Sequence, residues 1–361
     1  MKNNMNPLHS KMRAAVLIDV ENLVIKEVDV PRVGPGEVLV KVRACGICGS
    51  DVSMYRGRYL PVKPIIPGHE FAGEVVEVGE GVKYVKPGEK VVADINVSCG
   101  VCYYCKRMQK LFCPDMYQIG IHSNGAFAEY IKVPEQNIIK IPPNVSYEHA
   151  AFMEPLSCVI SVIDKANIAA GDVVVVIGDG PLGISASRLA KLSGASTVIV
   201  CGHHDYRLNK AKEMGADIIV NTKEVDPLEV VLSETDRRGA DVVVEVVGKQ
   251  TTYRWAIDMV RRGGRVALMG VPGPMDKLEL MMFNDIFNKE LSLNVSFAGT
   301  YDKGIRALAL ISSKKFDVSK LITHRIGLEN LLEGLMMMER KADNVIKIMT
   351  LPEMKGVERL Q

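Results

Sequence analysis

Two kinds of hydrophobic pattern divide the chain. Up to about Ile141, apolar residues come in short strand-like runs, as at 14–18 and 38–42, with the turn formers Pro31, Gly34, Pro35 and Gly36 between them. A strand's period of two turns one side of each run toward a core and the other toward water, so this part predicts a small β-rich barrel. Residues 1–10 carry no pattern and read as a loose tail, and Pro142, Pro143 and Asn144 close the first domain. From Asp172 the pattern changes. Apolar runs at 173–177, 197–201, 217–220, 241–247, 265–269 and 291–296 alternate with stretches of helical spacing, the mark of a parallel sheet. Six such strands make a complete doubly wound α/β domain. A helix is expected after Pro155, two more at 305–313 and 328–341, and a last strand at 345–351. Met336, Met337 and Met338 on the 328–341 helix read as core filler, since thioethers adapt to irregular gaps.

Bulk properties narrow the setting. A chain of 361 residues exceeds one ordinary core, so two domains are expected. A hydrophobic content of 47% fits a globular protein, and a formal net charge of +2 gives no reason to expect nucleic acid or an acidic membrane as partner. A small neutral substrate suits that balance. The first residues lack an apolar signal core and the longest aliphatic run, 173–177, is too short to span a bilayer, so a cytoplasmic location is expected. Six of the eight cysteines cluster at metal-ligand spacings, as in a reducing compartment.

The densest chemistry lies in CGICGSD at 45–51 and GHEFAGEVVEVGEGV at 68–82. Cys48 offers a thiolate, His69 an imidazole and Glu70 a carboxylate, the donor types zinc accepts. Asp51 can take the spare ring N–H of His69, and Ser50 puts a hydroxyl beside the metal, where it can pass a proton. Gly68, Gly73, Gly79 and Gly81 let the backbone turn closely. By themselves Cys45 and Cys48 also read as a redox pair or as two buried apolar side chains.

Cys99, Cys102, Cys105 and Cys113 form a second group; four thiolates fill a tetrahedral shell and leave no open position, so this site is expected to be structural. A nucleic-acid-binding ribbon is the rival, with only Lys106, Arg107 and Lys110 offering positive charge nearby. After the 173–177 strand come Gly178, Asp179, Gly180, Pro181, Leu182 and Gly183 and then a helical pattern, the strand–glycine-loop–helix arrangement that holds a dinucleotide pyrophosphate. Val247, at the carboxyl end of the 241–247 run, is counted with the cofactor-binding residues because doubly wound sheets bind ligands at that edge.

The 68–82 segment resembles the signature of zinc-dependent medium-chain alcohol dehydrogenases: G-H-E, two residues, Gly, five residues, Gly, two residues, Val. The resemblance spans about 13–351 and is nearest the polyol (sorbitol) and threonine dehydrogenase branch, through CGICGSD, GHEFAGEV, MEPLS and RLNKAKEMGAD. It implies a GroES-like catalytic domain from 1–155 and 297–361, a Rossmann domain from 156–296, one catalytic and one structural zinc per chain, and NAD(P). It further implies that Glu154 approaches the catalytic metal and that Glu70 and Glu154 exchange as ligands. Glu154 also suits the start of a helix as a capping carboxylate, and Cys158 reads as buried and inert.

The implied reaction is hydride transfer from a secondary alcohol on a polyol, sugar or cyclitol; the alternatives are threonine-type amino-alcohol oxidation and a non-catalytic dinucleotide-binding zinc protein. Two departures bear on substrate. Relatives often carry histidine where Ser53 stands, and sorbitol-type enzymes carry arginine where Ala298 stands. The coenzyme argument turns on Gly202, which occupies the strand end where NAD-binding folds usually have an acid. Its absence leaves room for a 2′-phosphate beside His203, His204 and Arg207, which favours NADP; the counter-reading has Asp205 holding the ribose. The family habit of assembly implies a homo-oligomer, tetramer or dimer.

Overall fold

In the computed structural model, which describes residues 11–59 and 63–361, the early strand-like runs form antiparallel sheet and the later apolar runs form parallel sheet. The tail expected at 1–10 lies outside the described residues. Two compact units result, Met1–Glu154 with Leu308–Gln361 and Pro155–Ala307.

In the first unit the organising strand is Glu37–Gly46. It pairs antiparallel with Glu70–Val78 on one side and with Tyr130–Pro134, and its end meets Lys347–Leu351 through Gly46 opposite Met349 and Cys45 opposite Thr350. Among the described residues these strands belong to an eight-stranded sheet that also takes in Ile322–Gly327 and Val357–Arg359. Val38, Val40 and Val42 face a core with Phe71, Val75, Phe127, Ile138 and Ile348, but Leu39 between them is buried in a second cluster with Met12, Ala14 and Val16, so the opposite face is covered as well rather than turned to water. Phe127 is fully buried, and truncating such a ring to alanine costs about 3–5 kcal/mol. Met336, Met337 and Met338 lie partly buried against this core, on the helix Leu331–Arg340.

The second unit carries one sheet of six parallel strands among the described residues: Ile218–Asn221, Thr197–Gly202, Val173–Ile177, Ala240–Glu245, Val260–Leu268 and Ser292–Val295, in that spatial order. In chain order this is 3-2-1-4-5-6, the doubly wound arrangement whose reversal beside the first strand opens a ligand crevice. The fourth strand stops at Glu245, before the expected Val247, because the Val247 and Gly248 amides turn back to Glu245 Oε1, each at 2.8 Å.

The helix expected after Pro155 begins earlier, at Met153, and runs to Ala166. Proline is tolerated in a first turn because its missing N–H would have had no partner in the helix. Residues 297–307 group with this second unit. They are tied to the helix by the Gly299 amide to Cys158 Sγ at 3.2 Å and Arg306 to Asp164, and Ser296 Oγ just before them meets Ser161 Oγ at 2.9 Å.

Candidate functional site

The strand Glu37–Gly46 hands the chain to a seven-residue helix, Gly49–Tyr55, with Cys48 at its N-cap. The Cys48 amide donates to Asp51 Oδ2 at 2.8 Å, so one turn of helix orients both the thiol and the carboxylate. Asp51 Oδ1 then faces His69 Nδ1 at 3.5 Å, and neither of these buried atoms has a hydrogen bond within the described residues. His69 stands one residue before the neighbouring strand Glu70–Val78, whose first residue, Glu70, is the register partner of Gly46. Gly68 makes the approach possible: its φ is +96°, and a Cβ there would stand 2.8 Å from the Phe127 ring and backbone nitrogen.

Cys48, His69 and Glu70 thereby bring a thiol, an imidazole and a carboxylate oxygen within 4.8 Å of one another. Ser50 Oγ lies 3.4 Å from His69 Nε2. Burial opposes a charged imidazole here, yet Asp51 and then Cys48 raise the proton affinity of His69 well above its usual range. A buried group that draws positive charge onto an imidazole against desolvation suits a divalent metal, and the three donor types are those of zinc. Glu154 stands in the first turn of Met153–Ala166, outside that three-residue group, and its charge acts on Lys347.

Lys347 is the residue that sequence reasoning missed. It is 2% exposed, forms an ion pair with Glu70 Oε2 and donates from Nζ to the Ile47 carbonyl at 2.9 Å. Burial works against its ammonium, but Glu70 first, then Cys48 and Glu154, hold it charged. The signal was a single lysine inside the apolar run at 345–351. Cys45 corrects the redox reading of the first motif. Its side chain is fully buried in the hydrophobic core, and desolvation, then Asp51 and Glu70, push its thiol well up, so it is not a partner for Cys48 chemistry.

The four cysteines also converge, with sulfur atoms within 4.8 Å of one another and Cys99 and Cys113 at 3.6 Å. The Ser98 hydroxyl, with Cys102 and the Gly100 amide, brings Cys105 down to about 7. The Cys99 amide favours the Cys113 thiolate, but burial and the neighbouring sulfurs push Cys113 up to about 11, as expected of thiols sharing protons. Such a set has the donors and the spacing for a tetrahedral cation. Lys110, one of the three basic residues weighed for nucleic acid, is turned inward: its Nζ donates to the buried Asp94 Oδ2 at 2.6 Å. Asp94 in turn accepts from Asn96, which joins Gln118 and Asn137 in one buried polar network under the lobe.

In the second unit the strand Val173–Ile177 passes through Gly178, at φ +130°, into the helix Pro181–Leu192 with Gly180 as N-cap and Pro181 at its first turn. Gly183 packs so closely that a Cβ would stand 1.9 Å from the Gly178 carbonyl, whereas a Cβ on Gly180 would meet nothing within 4 Å. The loop is therefore tight beneath the helix and open above its first amides, which fits a pyrophosphate. Leu182 is half-buried and Val247 is 39% exposed.

At the end of Thr197–Gly202 the expectation of free space fails. Asp179 fills it: a Cβ on Gly202 would fall 2.4 Å from the Asp179 Cβ, and Asp179 Oδ2 accepts the His203 amide at 2.7 Å and the His204 amide at 2.9 Å. Arg207 is 6% exposed, pulled inward rather than outward. Ala298 is buried and offers no polar group, and Ser53 is half-buried.

Residues 34–143 match the alcohol dehydrogenase GroES-like domain and residues 181–313 the zinc-binding dehydrogenase family. Sorbitol dehydrogenase of Bacillus subtilis is 36% identical over 348 residues, covering 94% of this chain and 97% of that protein. L-threonine 3-dehydrogenase of Pyrococcus furiosus is 38% identical over 307 residues, covering 83% and 86% respectively. Among solved structures, a zinc-binding dehydrogenase of Sinorhizobium meliloti 1021 bound to NADP superposes with a TM-score of 0.90 at 34% identity, over 95% of this chain and 100% of that one. With both donor clusters, the glycine loop and the two matched domains in hand, the chain belongs to the zinc-dependent medium-chain alcohol dehydrogenase family.

Proposed function

We propose that this oxidoreductase interconverts a secondary alcohol on a polyol, sugar or cyclitol with the corresponding ketone, using NAD or NADP. The observation that carries the reading is the convergence of Cys48, His69 and Glu70 with Ser50 beside them and Asp51 behind. Zinc held there would lower the pKa of a bound hydroxyl, and nicotinamide would accept the hydride. Cys48 and His69 would hold the metal, with Glu70 and Glu154 as the carboxylates that could complete the set. Asp51 holds the imidazole from its Nδ1 side. Ser50 Oγ, 3.4 Å from His69 Nε2, takes the substrate proton and passes it outward. Lys347 holds Glu70 in place through their buried ion pair.

Gly178, Gly180, Pro181, Leu182 and Gly183 would hold the pyrophosphate, and Gly202, His203, His204, Arg207 and Val247 would line the rest of the coenzyme path. Gly202, which lacks a carboxylate of its own, favours NADP; Asp179, lying over it, opposes that preference. The unpaired edge strand Ser292–Val295, with Leu293, Val295 and Phe297 exposed, supports assembly into a dimer or tetramer, which light scattering would measure. Free cysteines throughout support a reducing, cytoplasmic setting; no helix among the described residues is long and apolar enough to cross a membrane.

The test is zinc-replete protein offered NAD or NADP with polyols, sugars, cyclitols, threonine and simple secondary alcohols, followed by absorbance of the reduced nicotinamide. Turnover confined to polyol-like substrates is expected. Turnover on threonine alone would replace the substrate class. None at all, from protein shown to hold zinc and bind nucleotide, would overturn the enzyme reading.

A further inference from the structure

We infer that Asp179, inside the glycine loop, sets the coenzyme choice and makes this pocket select NAD against NADP. The inference rests on the nucleotide-binding reading above and deepens it. In the usual dinucleotide fold an acid at the end of the second strand accepts the ribose 2′-hydroxyl and repels a 2′-phosphate. Here that strand ends in Gly202, but the space its side chain would fill is occupied by another carboxylate. A Cβ on Gly202 would lie 2.4 Å from Asp179 Cβ and 2.7 Å from its Cγ and Oδ2. The acid has moved from the strand to the loop while keeping its position in the pocket.

Three bonds hold it there. Oδ2 accepts the His203 amide at 2.7 Å, the His204 amide at 2.9 Å and the His204 Nδ1 at 2.9 Å. Of these donors the His204 amide lies at the N-cap of the helix Asp205–Glu213, while the His203 amide and the His204 ring flank it, so the loop carboxylate caps the start of the next helix from outside. Burial disfavours the charged form, yet the amides and His204 keep Asp179 below the usual carboxylate range.

The same arrangement answers the case for NADP. His204 is turned onto Asp179, and Arg207 is buried with Asp179 as the carboxylate that favours its charge. The two basic side chains that would welcome a 2′-phosphate are thus already committed, His204 by its bond to Asp179 and Arg207 by burial, which lowers its proton affinity while Asp179 opposes that loss. A dianion added beside that carboxylate meets repulsion in a partly desolvated site, whereas a 2′-hydroxyl does not.

The experiment is isothermal titration of the zinc-loaded protein with NAD and with NADP at pH 8, a binding readout independent of turnover. The wild type is expected to bind NAD at least about 10-fold tighter. Asp179→Asn, which keeps size and removes charge, is expected to shift the ratio by about 10-fold or more toward NADP, mainly by tightening NADP. Should Asp179→Asn lose its cap and unfold, as its melting curve would tell, the double variant Asp179→Ala/Gly202→Asp puts the acid back at the strand end. It is expected to bind NAD in preference to NADP, where Asp179→Ala alone does not.

A wild type that prefers NADP, or an Asp179→Asn ratio equal to that of the wild type, would overturn the inference while leaving the dehydrogenase reading intact. Equal weakening of both coenzymes would assign Asp179 a purely structural role and overturn it as well. Binding of neither coenzyme by the wild type would remove the nucleotide-binding reading and the inference together.

Discussion

Cys99, Cys102, Cys105 and Cys113 lie within 14 positions of one another on a lobe where Cys99 is exposed, whereas Cys48 caps a helix, His69 and Glu70 open a strand, and the set is joined by a lysine 300 positions from Ile47. The first cluster offers four identical soft donors and a closed shell; the second offers three different donors, an acid behind the imidazole and a hydroxyl in front. Exposure runs opposite to reactivity. The solvent-facing lobe has the donors to close a shell around a cation, and the buried site has only three donors within reach of one another. Donor identity and shell completeness, more than access to water, separate a metal that holds a fold from one that works on a substrate.

The sharpest way to break this contrast is Cys48→Ala. Loss of a fixed ligand should reduce turnover to background while bound metal falls from about two per chain to about one, by elemental analysis. Retention of turnover would remove the zinc mechanism. Next in size is Lys347→Met, which leaves Glu70 buried without its cation and should cost about 3–5 kcal/mol of stability by denaturant melt. Adding Glu70→Gln should recover much of it, and a non-recovering double variant would show that the pair is not the cause.

Ser50→Ala should lower kcat by about 100-fold and change its pH profile, with both metals retained; an unchanged profile would take the proton from some other group. The smallest effect is expected at the lobe. Cys105→Ser should cost roughly 2 kcal/mol, a fall in Tm of about 4–8 °C, with kcat within about threefold of wild type at temperatures where the protein is folded. A kcat loss as large as that of Cys48→Ala would erase the distinction between the two clusters.

Legibility followed distance along the chain. That Cys48, Ser50, Asp51, His69 and Glu70 lie together is legible in the sequence because they sit within one short, register-locked stretch, and a parallel sheet of six strands is written in its valine-rich runs. The seven-residue helix Gly49–Tyr55 escaped notice, being too short for a periodic pattern to build up. Lys347 escaped because nothing local says that a lone lysine in an apolar strand will be paired across the sheet. Asp179 was in view throughout, yet the glycine pattern treats its position as open to any residue. Only the packing over Gly202 shows what that residue does.

The pairing of Thr350 with Cys45 has a consequence for how the protein comes into being. During synthesis the first motif leaves the ribosome long before the strand Lys347–Leu351, so the nascent chain carries Glu70 without its counter-ion through most of translation. The Glu70 ion pair forms only when that later strand docks, so a fragment that stops short of Lys347 keeps every motif residue yet leaves the Glu70 carboxylate without its buried partner.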